Sequence, residues 1–212
     1  MVWLHRPTAD AEPVRGEVAD RGRVIDDPAE HDSPALAEIF SSVDEERPVR
    51  ILDLGPALPV NLAFYNSVAG SVRIADLVRG ENLRELDQRG FVSLLGRLVS
   101  ATDEAFELIL AWDILDHLTA EQPGVLAHHL AAVADRGARI HLMTTTTDTM
   151  PAEPTRYEIA GPGRLVYRPT TDKRVAAPNP PPALVERWLD PFKITRSVIL
   201  RHGVREFIGL LR

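Results

Sequence analysis

No residue of this 212-residue chain is cysteine. That excludes disulfides, thiolate metal centres and thiol nucleophiles. No apolar run approaches the roughly 20 residues that a membrane span needs. The N-terminus, Met-Val-Trp-Leu-His-Arg-Pro, has too few apolar residues for a signal peptide, so a cytoplasmic location and no membrane partner are expected. Basic excess is missing as well. The net charge is −7, the wrong sign for gripping phosphate backbones, so nucleic acid is not expected as a partner. No His/Asp spacing compensates for the missing cysteines. His128 and His129 are neighbours in a helical stretch and point apart, so no metal is assigned. There is no internal repeat.

What remains is an acidic chain long enough for one ordinary domain, burying roughly 70% of its extended surface. Residues 1–30 are charged and aperiodic and read as a flexible N-terminal arm. Residues 31–212 read as one domain. Ser33-Pro34 opens a helix, with serine as cap and proline at the first helical position. Residues 49–54 form an almost uninterrupted apolar strand, as expected under cover on both faces. A helix over 60–68 buries Leu62, Phe64 and Tyr65. A strand at 71–76 follows, then helical pattern over 78–105, broken in two at Gly90. Strand 106–112, helix 120–135 with Gly137 as its stop, and strand 138–143 complete the alternation. Eight of the seventeen prolines fall in 150–182. This Pro-rich insertion holds a hairpin, 155–160 against 164–168, around Gly161-Pro-Gly163. A short helix through Trp188 leads to a closing antiparallel hairpin, 193–200 and 204–211. The fold class is α/β: a doubly wound, Rossmann-like, mostly parallel sheet with a C-terminal antiparallel hairpin.

The chemistry concentrates at Val49-Arg-Ile-Leu-Asp53-Leu-Gly55-Pro56-Ala57 and at Ser71-Val-Arg-Ile-Ala-Asp76-Leu77. In an open α/β sheet, ligands sit beyond the carboxyl ends of the strands. A glycine at 55 lets backbone approach a ligand. An acid at 76 suits a pair of ribose hydroxyls, as in dinucleotide sites. Phe106-Glu-Leu-Ile-Leu-Ala-Trp112-Asp113-Ile-Leu-Asp116-His117-Leu118 supplies a second strand end with acids and a histidine.

Ile51-Leu-Asp53-Leu-Gly55, Asp76 and the 106–118 stretch resemble the first motif, the second-strand acid and the fourth strand of class I S-adenosylmethionine-dependent methyltransferases. The terminal hairpin resembles that family's strands six and seven, and the likeness covers about residues 33–212. The resemblance implies S-adenosylmethionine as cofactor, with Asp53, Gly55, Pro56, Ala57, Asp76 and Trp112 around it. Asp113 and His117 are the implied catalytic candidates. It implies methyl transfer to a small molecule or a protein, where line-up and desolvation supply most of the effect.

Two departures qualify the resemblance. Ala57 and Pro59 stand where the family's turn wants glycine, and strand three, which leads to the adenine-flanking residues, is not recognisable between 78 and 105. A second reading therefore stands beside the first: a possible pseudoenzyme, a catalytically inactive methyltransferase-like module that binds a protein partner and in which Leu58 and Pro59 plug the pocket. A nicotinamide-dependent dehydrogenase is weaker, because G-x-G-x-x-G is absent. Each candidate also has an ordinary structural role. Asp76 and Asp113 suit helix caps, and Thr144–Thr147 suits a continued strand. The insertion hairpin, Tyr157 to Tyr167, is a candidate lid over a substrate.

Overall fold

The computed structural model describes residues 29–43, 47, 49–77, 82–100 and 105–212. Its centre is a six-stranded sheet of β2 (Val49–Asp53), β3 (Ala69–Ile74), β4 (Phe106–Leu110), β5 (Ala134–Thr145), β10 (Phe192–Ile199) and β11 (Val204–Leu211). The spatial order is β10-β11-β5-β4-β2-β3. Only β11 runs against the rest, pairing antiparallel with both β10 and β5. This is the mostly parallel sheet with a closing hairpin that the sequence predicts.

Alternation along the central strands divides two cores. Ile51, Leu108 and Leu110 face one side, with α1 (Pro34–Ser41) and α2 (Pro59–Val68). Leu52 and Ile109 face the other, with α3 (Gln88–Leu98), α4 (Gln122–Ala132) and α5 (Pro182–Trp188). Period-two side chains on a strand covered by helices produce this division. A smaller sheet completes the first side. It consists of β1 (Ala29–Asp32), β8 (Arg164–Arg168) and β7 (Arg156–Gly161), in the order β1-β8-β7. A short ribbon of β6 (Thr149–Pro151) and β9 (Arg174–Ala176) lies within the insertion. No helix among the described residues is long and apolar enough to cross a membrane.

Several sequence expectations change. Ala29 and Glu30, assigned to the arm, belong to β1, which pairs with β8; residues 1–28 lie outside the described residues. Gly90 does not break a helix. It lies in the first turn of α3, and its N–H donates to the Asp87 cap at 2.7 Å. Gly137 does not stop α4. It sits inside β5 at φ +83, in the region that favours glycine, where the register against β4 shifts. In α2 the buried positions are Asn61 and Tyr65, whereas Leu62 is exposed. Among the described residues no strand lies between β3 and β4; the segment holds a 3-10 turn (Leu83–Glu85) and α3. In that set β3 is the terminal strand of the sheet.

Replacing Asp87 with alanine frees the Gly90 N–H of its cap. The expected loss is about 1 kcal/mol, measured by urea denaturation of the variant beside the unaltered chain.

Candidate functional site

The parallel strands β2 and β3 end side by side. Asp53 pairs with Ile74, and Ala75 N–H donates to the Asp53 carbonyl at 2.8 Å. Asp53 is fully buried at the centre of the sheet, between β3 and β4. Asp76 lies two residues beyond Ile74, half-buried and close enough to Asp53 for the charges to repel. Asp53 and Asp76 are therefore neighbours at adjoining strand ends.

The Asp53 carboxylate faces inward. Its Oδ1 accepts from Gly55 N–H at 2.8 Å and from Trp112 Nε1–H at 2.6 Å, and its Oδ2 accepts from the Tyr65 hydroxyl at 2.7 Å. Burial pushes the carboxyl above its usual range. The three donors work against that push, and Asp76 adds to it. Three donors on one buried carboxylate are the arrangement that makes such a charge tolerable.

Trp112 carries this arrangement into the turn. Its φ is +49, a left-handed conformation that a bulky residue adopts at a cost of about 1–3 kcal/mol. The backbone is held there by Met143 N–H donating to the Trp112 carbonyl at 2.7 Å. The indole is buried and stacks on Tyr157 from the insertion hairpin, with centroids 5.4 Å apart and planes 9° apart. A Cβ built on Gly55 would lie 2.9 Å from Trp112 Nε1. The bare spot at Gly55 is thus filled by this chain's own indole. Leu58 and Pro59, expected to plug the turn, do not do so: Leu58 is half-buried, while Pro59 is exposed and opens α2. Pro56 is half-buried and Ala57 exposed on the same turn.

The other candidates gather at the ends of β4 and β5, around a cleft of about 530 Å3. Asp113 and His117 share its inner wall, with His117 Nε2 3.8 Å from Asp113 Oδ2. Asp113 Oδ2 also accepts from Thr155 N–H at 3.0 Å, and the Tyr157 hydroxyl donates to the same carboxylate. Thr145 to Thr147, Asp148 and Thr149 form another wall. Thr144 and Thr145 continue β5, and Thr146 N–H, just beyond its end, donates to the Gly203 carbonyl at 2.8 Å. Asp116 lies behind the wall, buried, and burial raises its carboxyl to about 7. Its Oδ2 accepts from Thr145 N–H at 2.6 Å, while Oδ1 has no partner. From the insertion, Met150, Pro151, Pro169 and Arg174 line this cleft, whereas of the hairpin expected as a lid only Tyr157 reaches it and Ile159, Leu165 and Tyr167 pack into the core.

Sequence reasoning missed His202, in the turn of the closing hairpin. It lines the cleft and stacks on His31 of β1, centroids 4.0 Å apart. Burial and the neighbouring His31 pull it down to about 4. Nothing local in Arg201-His-Gly203 marks this, because the partner is 171 residues away. His128 and His129 bond Gly124 and Val99 carbonyls respectively and do not converge. Among the described residues no group of three or more His, Cys, Asp or Glu is placed to hold a metal.

No family model matches the sequence, and no curated protein matches it. Solved structures do resemble its chain trace. An S-adenosylmethionine-dependent methyltransferase from Mesorhizobium loti is 13% identical, with a TM-score of 0.49, covering 84% of this chain and 96% of that one. The 1,6-didemethyltoxoflavin-N1-methyltransferase of Burkholderia thailandensis, bound to 1,6-didemethyltoxoflavin and S-adenosylhomocysteine, is 14% identical (TM-score 0.47; 84% and 77%). The magnesium protoporphyrin IX methyltransferase of Synechocystis PCC 6803, with bound SAH, is 13% identical (TM-score 0.48; 84% and 80%). The likeness is one of fold. What those proteins bind is a property of those proteins.

Two outcomes are expected from this geometry. Tyr65→Phe leaves the Asp53 Oδ2 without its hydroxyl donor in a buried site, at a cost of about 1–3 kcal/mol, read by chemical denaturation. His202 has a folded pKa below its free value of 6.5. Its contribution to stability is therefore complete above 6.5 and is lost as pH falls from there through 4. The melting temperature should fall across that window, and less steeply in His202→Gln.

Proposed function

We propose that this chain is a methyltransferase-like binding module that does not hold S-adenosylmethionine at Gly55, and that its ligand site is the cleft beyond β4 and β5. One observation carries the reading. The Trp112 indole fills the space over Gly55 while donating to a buried Asp53 whose oxygens already serve Gly55 and Tyr65. A ligand entering there must displace a buried indole stacked on Tyr157 and leave Asp53 short of a donor. Ala57, in place of the glycine that the family's turn uses, points the same way. The ligand of such a module is a small molecule or a segment of a protein partner.

A second reading is S-adenosylmethionine-dependent methyl transfer to a small molecule or protein, in the cytoplasm. It is favoured by the adjacency of Asp53 and Asp76 at neighbouring strand ends. Asp113 and His117 would then face the methyl acceptor across the cleft, with the cofactor taking the place of the indole.

Titration calorimetry with S-adenosylmethionine and with S-adenosylhomocysteine separates the two. The module reading expects no saturable heat and no thermal shift. Saturable binding that Asp76→Ala weakens at least tenfold, or cofactor retained through purification, would reject it in favour of the second.

A further inference from the structure

The cleft is lined by both charged and apolar side chains. Among them Asp113 is buried, 8% exposed. Its donors, Thr155 N–H and the Tyr157 hydroxyl, are neutral. The ionisable groups beside it are His117, 3.8 Å away, and Asp116 behind the wall. Among the described residues no arginine or lysine forms an ion pair with it. Arg174, also on the cleft wall, is turned to Thr149, donating to its carbonyl at 2.8 Å and to its hydroxyl at 3.1 Å. A buried carboxylate is ordinarily matched by a cation; here the His117 imidazole is the one basic group seen beside it among the described residues, and both side chains line the cleft.

His117 is also only 8% exposed and lines the same hollow, and its Nε2 lies 3.8 Å from Asp113 Oδ2. Met150, Pro151, Pro169 and Val204 add apolar surface to the same wall, and the volume of about 530 Å3 is that of an ordinary small-molecule site.

We propose that the cleft takes a small amphipathic amine, its ammonium against Asp113 and its apolar body between Met150, Pro169 and Val204. The proposal rests on the cleft being the ligand site and adds the chemical class of the ligand. An anionic ligand is disfavoured, because it would bring like charge to a buried carboxylate.

Three probes that share a 4-hydroxyphenylethyl body test it: tyramine, 4-(2-hydroxyethyl)phenol and 3-(4-hydroxyphenyl)propionate, titrated at pH 7.5 into the full chain and followed by amide shifts in NMR. Tyramine should bind at least tenfold tighter than the alcohol, with the propionate weakest and the shifts centred on His117, Thr146 and Thr149. Asp113→Asn should reduce tyramine to the level of the alcohol. The comparison of the three probes on the unaltered chain decides the matter even if that variant does not fold. Equal binding of amine and alcohol, or preference for the propionate, would overturn the amine while keeping the cleft as a ligand site. Shifts centred elsewhere, or no binding of any probe, would overturn both.

Discussion

The Asp53 carboxylate is the point through which the rest of this structure is tied. It sits at the end of the central strand and is fully buried. It holds three donors from three different places: its own turn at Gly55, helix α2 at Tyr65, and the end of β4 at Trp112. A buried charge is stable only when its oxygens are filled, so each donor constrains its element relative to the others. The same three bonds fix the turn, the first residues after β4 and the tilt of α2. They also place the indole where a ligand would otherwise meet bare backbone.

The insertion builds on that placement. Trp112 stacks on Tyr157, Tyr157 meets Tyr167 edge to face, and Tyr167 in turn meets His31 and His202. This aromatic chain runs from the central turn through β7 and β8 to β1 and the closing hairpin. It lies against the core face that already holds α1 and α2. Glu206 ties the same region from β11, accepting from Ala35 N–H at 3.1 Å and from the Ser33 hydroxyl, so that the start of α1 is fixed to the last strand. The face of the sheet beside Gly55 is in this way made into core. A hollow lies at the ends of β4 and β5, where Asp113 and His117 meet the threonines that follow β5.

Much of the fold was legible because its signals are local. The apolar run 49–54, the Ser33-Pro34 helix start, and the hairpins around Gly161 and Gly203 carry their geometry in neighbouring residues, and each forms where the sequence puts it. Glycine was the least reliable guide. Gly90 and Gly137 read as helix breaks, yet one follows a cap and the other accommodates a shift of strand register, and only the tertiary partner distinguishes these uses. The neighbourhood of Asp53, Gly55, Asp76 and Trp112 was legible, but not what Asp53 faces: a strand-end carboxylate facing a ligand and one facing an indole have the same sequence. The pairing of His31 with His202 joins the two ends of the chain, and no spacing rule reaches that far.

The most direct measurement is hydrogen exchange at the Trp112 indole N–H, followed by NMR with and without saturating S-adenosylmethionine. A proton buried against Asp53 should exchange slowly and resonate at one position in both samples. An indole that exchanges at the rate of an exposed tryptophan, or that moves and loses its protection when the cofactor is added, would contradict the closed turn.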